Sequence, residues 1–597
     1  MPEITNSRLK LPDHLKKYVV TQDYKNYTSE DQSVWRYVMR RLIKFLSDHA
    51  HPCYADGLAK TGIISERIPQ IEDIDAKLAE FGWGALSVSG FIPPAAFMEF
   101  QSLGFLPIAS NMRTIDHLLY TPAPDIVHEA AGHAPILVDP AFARYLKRYA
   151  EVASKAIISK EDMYQYKAIR VLSDTKEDPT SSKQDVDKAL VELEKTNQAI
   201  TYLSEAAYLS RMNWWTAEYG LIGDLNQPKI FGAALLSSVG ESKECLKETV
   251  TKIPLTIHCI DYAYDITEPQ PQLFVTPTFE TLETVLEELA NRMAFRQGGL
   301  VGLEKAQRAQ TVNTVELNSG LQMSGVLCEF HSHLVAGLRE PTYVRFQGPT
   351  QLSLNGEQLR DHGSDYHSQG FSSPIGLLKN EVKCLSSMDS QDLIRLGVIK
   401  GQTTTLHYAS GIQVEGNISR IIRGNGKVII VTFENCKVCE GDKVLFDPSW
   451  GTFDMAIGSS VPSVFGGPAD RSSYGNLDDF VAKRIPKKQY SEERIQTFKF
   501  YQAIRNLRES SGSQVMKADQ LQGLVSQYRD NHRNNWLMGV ELVELAVVLE
   551  RSDLQSKLEK ALVDFNTLVD FNTDSSDITE CIAEGLRLAK SMPCQLS

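Results

Sequence analysis

The sequence predicts three successive regions: a mainly α-helical one over 1–300, a β-rich one over 301–480 and a helical one over 481–597. Apolar residues recur at helical intervals ahead of residue 300. Short β-rich runs broken by glycine turns take over from about 305 to 475, and helical periodicity returns from about 485. A chain of 597 residues exceeds what one hydrophobic core usually serves, so several domains are expected. With 42% hydrophobic and 23% charged residues, it has the composition of a folded globular protein.

Within the first region, Tyr145, Leu146, Tyr149, Val152 and Ala153 form one apolar helical face. The polar stretch Thr175 to Asp187 is too poor in apolar residues to be core and reads as an exposed insert. Leu282, Val285, Leu286, Leu289 and Met293 form a second face, between the start signal Pro277-Thr278 and the stop signal Gly298-Gly299, which suggests a boundary near 300. In the second region, Ile418 to Phe433 reads as a hairpin around the turn Arg-Gly-Asn-Gly-Lys. In the third, Leu537, Val540, Leu542, Leu545 and Leu549 mark an apolar stripe, read as intramolecular core. No internal repeat or low-complexity tract is present.

A net charge of −13 argues against nucleic acid or an anionic membrane as partner, because both attract basic surfaces. The N-terminal residues lack the apolar core of a secretory signal, and no run of about 18 apolar residues follows. Nine scattered cysteines fit reduced thiols, so a cytoplasmic location is expected. Cys436 and Cys439, the one close pair, have no second pair and read as structural. His331, His333, Asp361, His362 and His367 read as scattered surface residues rather than a second metal site.

The most informative segment runs from Tyr120 through His128, Glu129, Gly132 and His133 to Pro135. Thr121 can cap a helix whose first turn takes Pro122 and Pro124, while Gly132 and Pro135 are stop signals. Histidines five apart on an ideal helix diverge by roughly 140°, against roughly 40° for four apart, so one ion is reached only if the helix unwinds near Gly132. Glu218, set among aromatic and apolar residues, supplies the carboxylate, because such a charge is costly to bury unless paired or ligating. Two imidazoles and one carboxylate leave coordination positions open, as in non-haem iron(II) oxygenases, whereas zinc tends to close a tetrahedron.

Together with Gly90 to Phe97, Arg113 and Phe231 to Glu241, these segments resemble the catalytic domain of the pterin-dependent aromatic amino acid hydroxylases, nearest to their phenylalanine-hydroxylating members, over about residues 20 to 300. The resemblance implies that His128, His133 and Glu218 hold iron(II). It implies that Phe97 and Ile92 lie against a tetrahydropterin and that Glu129 faces the pterin side of the iron as a catalytic acid. Arg113, Thr121 and Asp125 would engage the substrate carboxylate, Ser237 and Ser238 would close that pocket, and Trp214 would shape the aromatic pocket. An arginine fork suits a carboxylate and a phenyl face suits a bicyclic pterin. Pro94, Pro107 and Asn213 depart from the family pattern, and the gap from His133 to Glu218 is longer than usual, with the polar stretch after Ser173 accounting for it.

The implied protein is an iron- and pterin-dependent monooxygenase acting over 1–300, with a β-rich domain of unknown role at 301–480 and a helical region at 481–597. The implied reaction is hydroxylation of L-phenylalanine to L-tyrosine with O2. Tryptophan hydroxylation is the alternative, and a zinc hydrolase or a non-catalytic metal-binding scaffold the remote ones. The expected partners are small molecules, without nucleic acid or membrane, and self-association is left open.

Overall fold

The computed structural model describes residues 11–88, 90, 92–118, 124–177, 181–266, 268–335, 337–475, 477, 490–569 and 575–591. They fall into two units, each assembled from separated stretches: one β-rich (1–17, 148–212 and 283–480), one helical with small sheets (18–147, 213–282 and 481–597).

In the β-rich unit, Asn425 and Gly426 both take positive φ, 51° and 78°, the backbone of a tight turn whose twist matches the flanking strands. It joins antiparallel strands Ile412–Gly424 and Lys427–Glu440, with Ile418 opposite Phe433 as the hairpin reading expects. Thr403–His407, Lys443–Phe446 and Phe453–Ala456 complete a five-stranded sheet. A six-stranded sheet is built on the long pair Leu321–Val335 and Leu338–Leu354, with Val312–Glu316, Ser463–Gly466, Glu357–Gln358 and Gly370–Pro374. Leu327 and Phe346 from the larger sheet pack in one core with Ile429, Ile430 and Ala456 from the smaller.

The same unit holds the polar stretch that the sequence marks as an insert. Its described residues close one helix, Lys160–Glu177, and open another, Lys183–Gln198, which starts with a reciprocal cap between Ser182 and Asp185. The glycine pair at 298 and 299 interrupts the chain without ending the unit. Helix Ala294–Gln297 stops, Gly299–Ala309 starts at once, and a side chain at Gly298 (φ 55°) would lie 2.3 Å from the Val461 carbonyl oxygen. Both flanks of the boundary expected near 300 therefore sit in one unit, and the division into 1–300, 301–480 and 481–597 stands as a proposal about which pieces carry function.

The helical unit is organised on helix Ser29–His49, opened by a reciprocal cap between Thr28 and Asp31. Helices Glu492–Glu509, Trp536–Val548 and Ser575–Lys590 pack against it. Trp536–Val548 is buried almost all round, so its leucine stripe is internal core. Its two acids meet buried arginines: Arg36 donates to Glu541 Oε1 and Oε2 at 2.8 and 2.7 Å, and Arg508 donates to Glu541 and Glu544 at 2.9 Å each. Burial pushes the Glu541 carboxyl up, but Arg36 and Arg508 outweigh it and hold it at about 2. Two small sheets accompany the helices. One pairs Gly84–Val88 with Phe105–Ala109 in parallel, and the other joins Pro228–Ile230, Leu221–Gly223, Gln272–Thr276 and Thr251–Pro254. Among the described residues, no helix is long and apolar enough to cross a membrane.

Candidate active site

The helix that carries His128 begins later than Thr121 and its prolines suggest. Pro124 precedes it, Asp125 accepts the His128 amide at 3.2 Å as its cap, and Thr121 lies outside the described residues. From His128 to His133 the helix is a π-helix, in which the Ala134 amide returns to the Glu129 carbonyl five residues back. That winding brings residues five apart toward one side, so the two imidazoles converge without the unwinding expected at Gly132. The helix continues into Ala134–Ile136. Gly132 is needed instead for close approach, because a Cβ there would stand 2.6 Å from the Ala233 carbonyl oxygen.

Glu218 ends a second π-turn, Trp214–Glu218, closed by the Tyr219 amide on the Trp214 carbonyl at 2.8 Å. Thr216 bonds the Tyr145 hydroxyl at 2.8 Å and Trp215 donates to the Tyr262 carbonyl at 3.0 Å, which fixes this turn from both sides. Glu218 Oε2 stands 3.3 Å from His128 Nε2, and its Oε1 stands 3.3 Å from His133 Nε2. Ligand atoms about 2.1 Å from a shared ion stand roughly 3.0–3.4 Å apart, so these three side chains fit one divalent metal.

The surroundings prepare the donors. Ser237 Oγ donates to the Ala233 carbonyl at 2.7 Å, so at 3.1 Å it can accept from His128 Nδ1–H and free the Nε2 lone pair for an ion shared with Glu218. Burial pushes the Glu218 carboxyl up, but His133 and His128 outweigh it and hold it well below the usual carboxylate range. Asn213, one of the departures from the family pattern, donates to Glu218 Oε1 at 3.4 Å. Beside the ligands, burial pushes the Glu129 carboxyl up to about 8, with Glu218 and Asp125 adding and His133 opposing. Glu129 Oε2 is buried without a hydrogen-bond partner, 4.0 Å from His133 Nε2. A buried carboxyl oxygen left without a partner there can bond a bound polar ring, which fits a pterin.

Arg113 follows strand Phe105–Ala109, which packs against the π-helix, and is buried with Asp125. Its Nε and Nη2 donate to the two oxygens of Asp125 at 2.8 Å each, and its Nη1 donates to the Ser237 carbonyl at 3.3 Å. Asp125 thus joins the arginine to the start of the histidine helix. Ile92 is buried and Phe97 half-buried, the latter on helix Pro94–Ser102, where Pro94 occupies the first turn. Ser238 caps helix Val239–Glu244 through its side chain. Trp214 is sandwiched between Tyr219 (ring centroids 4.6 Å apart) and Tyr264 (4.3 Å). Tyr264 was not anticipated, although the aromatic run Asp261-Tyr-Ala-Tyr-Asp265 marks it in sequence.

Comparison with known proteins identifies a family for the part of the chain that holds this site. Residues 5–167 and 194–316 match the family of biopterin-dependent aromatic amino acid hydroxylases. This part of the chain belongs to that family. The skipped residues, 168–193, run from within helix Lys160–Glu177 to within helix Lys183–Gln198, and they account for the long interval between His133 and Glu218. Phenylalanine-4-hydroxylase of Mesorhizobium japonicum is 29% identical over 274 residues, 45% of this chain and 83% of its own length. That of Pseudomonas aeruginosa is 29% identical over 282 residues, 46% of this chain and 89% of its own length. A solved phenylalanine hydroxylase of Chromobacterium violaceum, with iron and phenylalanine bound, is 24% identical, covers 46% of this chain and 87% of its own, and has a TM-score of 0.35. Over these residues the chain is accordingly a pterin-dependent aromatic amino acid hydroxylase.

Proposed function

We propose that the chain is a phenylalanine 4-monooxygenase, forming L-tyrosine from L-phenylalanine, O2 and tetrahydropterin at one iron(II) held by His128, His133 and Glu218. The convergence of three ligating side chains from two π-turns, with each Glu218 oxygen 3.3 Å from one imidazole nitrogen, carries this reading. Iron(II) and the pterin, when bound, would supply oxygen activation and the two electrons that balance insertion of one oxygen atom into the ring.

The chain's own residues bind and orient. Arg113, held by Asp125, keeps N–H donors for the substrate carboxylate and so sets where the ring lies. Ser237 fixes both the His128 tautomer and the Arg113 end of the pocket. Phe97 and Ile92 offer apolar surface to the pterin, and Glu129 orders its polar edge. With Tyr219 and Tyr264 on its two faces, Trp214 has an edge to offer the aromatic pocket, a rigid wall that favours one ring over an indole. The relatives named phenylalanine-4-hydroxylase support the same substrate. Every described cysteine is free, which supports a cytoplasmic location.

Product analysis with phenylalanine, tryptophan and tyrosine supplied separately tests the assignment. Tyrosine from phenylalanine should form with the largest kcat/KM. A larger value for tryptophan would overturn the substrate and leave the hydroxylase class standing.

A further inference from the structure

The histidines at 362 and 367 are not on the surface. Among the described residues they form, with Asp454, the second cluster of metal-ligating side chains, and all three are more than nine-tenths buried. They come from different sheets of the β-rich unit. His362 and His367 lie between strands Glu357–Gln358 and Gly370–Pro374, where their carbonyls accept the amides of Leu352 (2.9 Å) and Thr350 (3.1 Å) and fasten the segment to strand Leu338–Leu354. Asp454 lies on Phe453–Ala456 of the five-stranded sheet, opposite Thr432.

The side chains aim inward together. His362 Nδ1 stands 3.2 Å from His367 Nε2, within the roughly 3.0–3.4 Å separation of ligands sharing one ion. Thr432 donates to Asp454 Oδ1 at 2.6 Å, and the Tyr366 hydroxyl also bonds this carboxylate. Asp454 Oδ2 lies 4.0 Å from His362 Nδ1, too far for a hydrogen bond but reached by a small side-chain rotation for shared coordination. A bond between the two imidazoles engages only one nitrogen of each. The exposed Arg420 is the nearby cation.

We propose that His362, His367 and Asp454 bind a second divalent transition-metal ion, zinc by preference, which clamps the two sheets of the β-rich unit together. Two imidazole nitrogens and one carboxylate oxygen with little solvent access suit a tetrahedral ion completed by one further ligand. Thr432 orients the carboxylate from behind, as outer partners of metal ligands do. The ion crosslinks a segment of one sheet to a strand of the other and so contributes to folding rather than turnover.

The test titrates Zn2+ into the metal-stripped full chain against a chelating dye. The unmodified chain is expected to bind two equivalents and Asp454→Asn one. In a full chain carrying His128→Ala, His133→Ala and Glu218→Ala, one equivalent should remain, with affinity falling at least about tenfold on adding His367→Gln. Circular dichroism verifies that each variant is folded. Equal stoichiometry in the unmodified chain and folded Asp454→Asn would overturn the proposal, as would a folded triple variant that binds no zinc.

Discussion

The two histidine–carboxylate clusters share a spacing and differ in almost everything else. His128 and His133 are five residues apart, as are His362 and His367, and each pair meets one carboxylate. In the helical unit the pair is wound onto a π-helix, and the His128 and Glu218 side chains keep 15% and 16% exposure. In the β-rich unit the pair sits in an irregular segment, with the His362 and Asp454 side chains each 3% exposed. A metal that must meet oxygen, pterin and substrate needs the first arrangement, whereas an ion that only holds two sheets together is served by the second. Spacing says which residues can share an ion, and access says what the ion can do.

The largest expected effect separates the clusters by activity. His128→Ala, His133→Ala and Glu218→Ala should each lower hydroxylation at least about 1,000-fold with loss of iron, because each removes one of three protein ligands. Asp454→Asn should keep kcat within about threefold and lose the stabilisation that zinc gives in thermal melts. Steady-state kinetics beside iron analysis checks the first, calorimetry with and without chelator the second. An Asp454→Asn chain that is folded, iron-loaded and inactive would erase the distinction.

Next comes the support under the first cluster. Glu541→Gln removes one partner of a buried pair and leaves Arg36 and Arg508 without their shared carboxylate, which should cost about 3–5 kcal/mol in urea unfolding. By the same reasoning, a chain ending at residue 300 should be poorly folded, because it strips three helices from Ser29–His49. Folded, fully active protein of that length would show that residues 1–300 stand alone.

Smaller effects sharpen the site itself. Ser237→Ala frees the His128 tautomer and should weaken iron binding or turnover about 10–100-fold. Trp214→Phe should raise kcat/KM for tryptophan relative to phenylalanine by a few-fold, since size discrimination in an apolar pocket is worth only about 1–3 kcal/mol. An unchanged ratio would remove Trp214 from the pocket wall.

Local chemistry was legible and distant chemistry was not. The Asn425-Gly426 turn announced its hairpin, and the His128, His133, Glu218 set could be named from residue type and flanking sequence. The π-winding could not, because no residue pattern distinguishes it from an unwound helix, so Gly132 was read as a breaker when it is a close-contact position. The scarcity of apolar residues marked the polar stretch as an exposed insert, but the cap between Ser182 and Asp185 that starts its second helix went unread. Asp454 is a lone acid in a strand and Arg36 lies 505 residues from Glu541, pairings that only the fold creates.

The most direct test of the central claim adds iron(II) to metal-free full chain and follows tyrosine formed from phenylalanine with tetrahydropterin. Activity should rise with iron to one equivalent per chain and stay absent in Glu218→Ala. Tyrosine formation that needs no iron, or that survives in Glu218→Ala, would contradict it.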